Sequence, residues 1–161
     1  MQKQSNEAVS RHADLPARAL NRFVGSWKGE VTVEAIDQEP IRYVQTNRFV
    51  WTFDGRFLEE RGSGTNESSF LGVWAWDANA ELFRAHYFLA PSGDALVIQH
   101  RWDEAEQTFT GSSELGGLTV LAQDRFSGAD AYSWTIVVQD RSGNPMTRMQ
   151  GFQERDQRTV G

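Results

Sequence analysis

Four ionisable side chains lie on stretches that alternate like strands: Glu60, His86, His100 and Asp124. A histidine beside a carboxylate is the commonest acid–base pair at neutral pH. His86 and His100 occupy neighbouring stretches, "ELFRAHYFLA" at 81–90 and "ALVIQHRWD" at 95–103. A three-residue loop at "PSG" makes them diagonal neighbours on one face. A four-residue turn sends them to opposite faces. On one face they would serve an enzyme with Glu60 or Asp124 as partner. A two-histidine metal site would need a further ligand, with Asp124 the candidate. Ordinary packed or surface histidines are expected instead, and no metal. The chain has no G-x-S-x-G elbow and no phosphate-binding loop. No catalytic residue is therefore assigned.

Strand register nominates further residues. "DG" at 54–55 reads as a two-residue hairpin loop. It pairs Phe53 with Arg56, Trp51 with Leu58 and Phe49 with Glu60. The odd side of that first partner strand is apolar, so Arg56 and Glu60 would follow it inward. A five-residue loop in the last hairpin pairs Val138 with Met146, Ile136 with Arg148 and Trp134 with Gln150. Tyr132, Trp134, Ile136 and Val138 form an apolar face, so Arg148 and Gln150 would also point inward. The preceding three-residue loop brings Asp124 beside Trp134. The expected ligand-binding set is Arg56, Glu60, His86, His100, Asp124, Trp134, Arg148 and Gln150. An arginine fork in an aromatic pocket suits a carboxylate, so a small apolar or acidic ligand is expected. Arg148 or Arg56 would be its anchor.

Those residues need a frame. Asp14 can cap a short helix and Pro16 suits its first turn. Leu20, Phe23 and Val24 share one face, and Gly25 suits the residue after the helix. From Trp27 the period becomes two, and about ten strands follow at spacings of roughly 8–12 residues. Hairpin-length connections throughout favour an up-and-down meander, which loses its edges by closing into a barrel. The fold class expected is all-β, an antiparallel barrel with one N-terminal helix. Trp27 would plug its floor.

Composition sets the outer bounds. The chain has 161 residues, which suits one domain. Residues 1–13 read as a frayed tail, 14–156 as the barrel and 157–161 as a C-terminal tail. There is no cysteine, which removes disulfides and thiolate chemistry. The net charge of -6 carries no basic stripe, so no nucleic-acid partner is expected. No run of about 18 apolar residues exists, so no membrane partner is expected. The N-terminal stretch lacks the apolar region of a signal peptide, and a cytoplasmic location is expected. Six Trp and ten Phe imply either a large aromatic core or a lined pocket.

The Gly-x-Trp of "FVGSWKG" after a short helix resembles the lipocalin and calycin signature. With "GRFLEE", "WDANAELF" and "WDEAEQTFTG" it is similar to a bacterial calycin-like family of unknown function, over roughly residues 18–156. The resemblance implies the barrel and no agreed activity. Where that family has Trp and an acidic residue in the fifth strand, this chain has "HYFLA". The nitrobindin group, haem-binding ten-stranded barrels, shares the Gly-x-Trp start. That resemblance implies an iron-ligating histidine near the C-terminus. "MTRMQGFQERD" contains none, so no haem or other cofactor is expected. A small-molecule binder, monomer or homodimer, is the favoured reading. The alternatives are the histidine–carboxylate enzyme and a filled structural barrel acting through dimerisation.

Overall fold

Residues 15–21 form the helix α1, and a turn carries the chain through Phe23 to Gly25, where φ is +123°. The computed structural model describes residues 15–157; Asp14, the expected N-terminal tail and residues 158–161 of the expected C-terminal tail lie outside the described residues. Ten antiparallel strands follow. They are β1 (Gly25–Ala35), β2 (Ile41–Thr52), β3 (Phe57–Gly64), β4 (Ser69–Asp77), β5 (Leu82–Ala90), β6 (Ala95–Asp103), β7 (Thr108–Leu115), β8 (Leu118–Phe126), β9 (Ala131–Gln139) and β10 (Pro145–Arg155). Each pairs with its neighbour in sequence, and β1 pairs with β10 to close the barrel.

The closed end is an aromatic plug. Trp27 has no exposed surface, and its indole N–H donates to the Phe23 carbonyl at 2.6 Å. Phe23 packs within 5.4 Å, ring to ring, of Phe49, Trp74, Phe109, Phe126 and Tyr132. Ala19 and Leu20 of α1 complete the cluster. Arg155, at the end of β10, lies 4.3 Å over the Trp27 ring. It donates to the carbonyls of Arg22, Val24 and Ala129. One side chain thus ties the last strand to the α1–β1 connection. The carbonyls of Arg22 and Val24 follow the end of α1, where intrahelical donors run out, and that of Ala129 lies in the β8–β9 connection. Gly29 is required by close approach: a Cβ there would sit 1.8 Å from the Phe152 carbonyl oxygen.

The opposite end is less filled. Ile98, Val120 and Ala122 form a smaller cluster with Tyr87, Leu96, Ile136 and Val138, the last four only partly buried. The wall there is also incomplete. β6 and β7 pair only from Gln99–Asp103 against Thr108–Ser112, so Ala95–Ile98 and Ser113–Leu115 diverge. A cleft of about 580 Å³ occupies that seam. Its lining mixes inward residues (Tyr87, Leu96, Ser113) with outward ones (Val97, Gln99, Glu114).

Trp27→Ala removes the floor of the plug and a buried hydrogen bond. Equilibrium urea unfolding is expected to show a loss of about 3–5 kcal/mol. Phe152→Ala, on the exposed outer wall, should stay within about 1 kcal/mol. A Trp27 loss as small as that of Phe152 would mean the plug does not hold the barrel.

Candidate functional site

Strand alternation decides which side chains meet inside. On β2 the inward face carries Gln45, Asn47 and Phe49, all buried. On β3 it carries Leu58 and Glu60, on β6 Ile98 and His100, and on β8 Val120, Ala122, Asp124 and Phe126. Three inward glycines leave room for larger rings beside them. A Cβ at Gly72 would lie 2.9 Å from Tyr87, at Gly111 2.6 Å from His100, and at Gly151 2.4 Å from Trp134.

Glu60 is the hub of this layer. Asn47 donates to one carboxyl oxygen at 2.7 Å; Trp74 and Tyr87 donate to the other, each at 3.3 Å. Gln45 in turn donates to Asn47 at 2.7 Å. Burial raises the Glu60 pKa from 4.5 to about 7, against the lowering effect of its three donors. Asp124 faces Phe109 on β7 and Trp134 on β9. Its inward carboxyl accepts no hydrogen bond among the described residues, and burial, then the charge of Glu60, raises it from 3.8 to about 8. Yet Asp124 keeps accessible surface between the buried Ala122 and Phe126. An inward residue at mid-wall keeps such surface only where the lumen holds space. Burial and then Glu60, with Asp124 next, push the Tyr87 hydroxyl well above its ordinary value; the same causes act on Tyr132. Four oxygen acids therefore share one interior.

Several buried polar atoms there have no protein partner: both ring nitrogens of His100, the Trp134 indole nitrogen and both amide atoms of Gln153. Burial alone lowers the His100 pKa to about 3, so its imidazole is neutral. Among the described residues the only inward arginine on a strand is Arg155, at the closed end. Arg22 also stays there, 4.9 Å over the Phe126 ring and 5.6 Å over Trp102.

The sequence-nominated residues divide. Glu60, His100, Asp124 and Trp134 project inward, with Phe49↔Glu60 and Asp124↔Trp134 paired as expected. Arg56 does not. β2 ends at Thr52 and β3 begins at Phe57, so Arg56 sits exposed in a four-residue turn although the register beyond it is as read. His86 is exposed on the outer face, because a four-residue turn at 91–94 joins β5 to β6. That separates it from His100 and removes the paired-histidine site. Arg148 and Gln150 also face outward. Pro145 pairs with Gln139 in the expected register, but a bulge makes Thr147 the partner of Val138, one residue out of step. Thr147, Met149, Gly151 and Gln153 turn inward instead, and the acidic-ligand reading loses both of its arginine anchors. Register reasoning passed over Gln45, Asn47, Tyr87 and Gln153, and read Tyr132 only as part of an apolar face. Polar residues on the apolar face of β2, at 45 and 47, were the available signal, since buried polar groups need partners.

A haem does not fit these residues. The inward residues of β10 offer no histidine, and His100 is closed in. Its ring lies 4.5 Å from Trp74 and against Gly111, with neither nitrogen accessible. Among the described residues no group of three metal-ligating side chains comes together, and no helix is long and apolar enough to cross a membrane.

Fold and interior together define a closed ten-stranded antiparallel barrel with acidic and aromatic side chains inside. No family model and no curated protein matches the sequence. Solved structures do match. Rv2717c from M. tuberculosis superposes with a TM-score of 0.70 at 14% identity, over 88% of this chain and 98% of that one. A protein of unknown function from the DUF3598 family of Nostoc punctiforme gives 0.63 at 15%, over 85% of this chain and 49% of that one. This chain thus spans about half of that protein's length. The S-type phycobiliprotein lyase CPES from Guillardia theta gives 0.61 at 12%, over 87% and 92%. At these identities the likeness is one of fold.

Two outcomes follow from the interior. Both carboxyls are raised, so their protonated forms favour the folded state. That stabilisation is complete below their ordinary values of 4.5 and 3.8 and is lost as pH rises through about 7 and about 8. The thermal midpoint should fall from about pH 5 to about pH 9, and Glu60→Gln with Asp124→Asn should flatten the fall. An unchanged slope in that double variant would show that other groups set it. Separately, haemin titration should produce no sharp Soret band that His100→Ala abolishes.

Proposed function

We propose that the protein binds a small, partly apolar molecule in the half of the lumen away from α1. Its polar end meets Asp124, Glu60 and Tyr87, and its apolar body lies against Leu96, Ile136 and Val138. The observation that carries this reading is Asp124. It is an inward carboxyl without a hydrogen-bond partner in an aromatic wall, on a residue that is only partly buried. Leaving such a group empty-handed costs free energy, and ligand pockets place a few polar groups in apolar walls in this way. The unpartnered Trp134 nitrogen and Gln153 amide add further polar atoms to that interior. The phycobiliprotein lyase of the same fold supports a reading in which the barrel handles a small molecule. No catalytic step is assigned, and the filled plug accounts only for the α1 end.

Trp134 borders Asp124, so a bound molecule should change its fluorescence. A panel of apolar acids, amides and amines should contain members that quench it with Kd below about 1 mM, roughly -4 kcal/mol. Asp124→Leu should change the ranking within the panel. If no member of any charge binds, the barrel is a filled structural one.

A further inference from the structure

We infer that the lumen selects an organic cation, an amine or quaternary ammonium on an apolar body, with its charged nitrogen held between Glu60 and Asp124 beside the rings of Tyr87 and Trp134. This rests on the lumen-binding reading and names its ligand class.

The placement of charge is the first ground. In a ring of ten strands β3 and β8 stand five apart in either direction, so Glu60 and Asp124 project from opposite walls. No lysine or arginine on the described strands faces the space between them. Lys28, Arg42, Arg48, Arg61, Arg84, Arg101, Arg125 and Arg148 all alternate outward. Arg155 and Arg22 are engaged with carbonyls and rings at the closed end. Proteins normally pair buried carboxylates with a cation of their own. Here two carboxyls and two phenols share the interior without one. A ligand cation supplies the missing charge where the dielectric is low and Coulomb attraction strong.

The walls are the second ground. Tyr87, which donates to Glu60, and Trp134, which is paired beside Asp124, are both only partly buried. Indole and phenol faces attract cations, and quaternary ammonium groups are bound in such aromatic settings. Above about pH 8, where both carboxyls are ionised, a carboxylate ligand would meet like charge there.

The groups facing this position are Glu60 from β3, Tyr87 from β5, His100 from β6, Asp124 from β8 and Tyr132 from β9. Burial keeps His100 neutral, and the two tyrosines stay protonated. The two carboxyls hold protons near neutrality, at about 7 and about 8. A cation between them lowers both values, so binding releases protons to the buffer.

The test compares benzyltrimethylammonium with its uncharged carbon isostere, neopentylbenzene, and with phenylpropionate. Isothermal titration in two buffers of different ionisation enthalpy counts the protons. At about pH 8 the cation should bind at least about tenfold tighter than the isostere, with net proton release. At about pH 6 that preference should shrink, because both carboxyls are then protonated. Asp124→Asn and Glu60→Gln should each weaken the cation about tenfold and leave the isostere unchanged. An isostere or acid that binds as well as the cation overturns this inference and leaves lumen binding standing. A cation preference without proton release also overturns it. If none of the three binds, lumen binding falls with it. The proton count needs no variant, so misfolding of either variant does not remove the test.

Discussion

The meeting of the two chain ends around Trp27 is the constraint on which the rest of the barrel depends. A meander of ten strands closes only if β1 finds β10, and nothing in a hairpin turn enforces that long-range pairing. The α1 segment delivers Phe23 to the centre of one end, Trp27 hydrogen-bonds to it, and Arg155 covers the indole from the last strand. The guanidinium also satisfies carbonyls left over where α1 ends. Hydrophobic burial, a cation–π contact and backbone satisfaction therefore fall on the same few residues. With that end fixed, the tilt of every strand and the height of each inward side chain are set.

The plug divides the interior into two environments. Near α1, rings fill the space and leave little for solvent. Farther along, glycines on β4, β7 and β10 make room for Tyr87, His100 and Trp134, and polar tips replace ring edges. An apolar filling would have been simpler and more stable there, because buried carboxyls lose their hydration. A protein carries such a layer at the expense of stability, and uncompensated buried acids mark functional interiors more often than structural ones.

Much of the architecture was legible in the sequence. The change of period at Trp27, the turns at "DG" and "DANA", and a short helix before Gly25 sufficed for a closed meander, although that helix stops at residue 21 and Gly25 already opens β1. The placement of Glu60 and Asp124 was legible too, because the pairings through those two hairpins follow from loop length. What failed was local. A single bulge after Pro145 reversed the direction of Arg148 and Gln150, and no residue type in "DRSGNPMTR" announces a bulge. The alternation inside β10 held the better signal, with Met149 and Gly151 on one side and Arg148, Gln150 and Glu154 on the other. His86 failed for a similar reason: one residue in a turn decides a face. Tyr87 and Gln153 were illegible because their roles depend on neighbours several strands away.

The divergence of β6 and β7 gives the cylinder a mechanical grain. Closing a sheet spreads deformation evenly round the circumference, as in a hoop, provided every stave is fastened along its whole length. Here one joint is fastened for only part of its length, and the unfastened part lies away from the helical plug. Bending concentrates at such a joint, much as a slit tube flexes at its slit. Across that seam Ala95–Ile98 and Ser113–Leu115 have no strand partner, although β5 and β8 still pair with their other edges. The interior can thus communicate with its surroundings through the wall while the aromatic end stays shut.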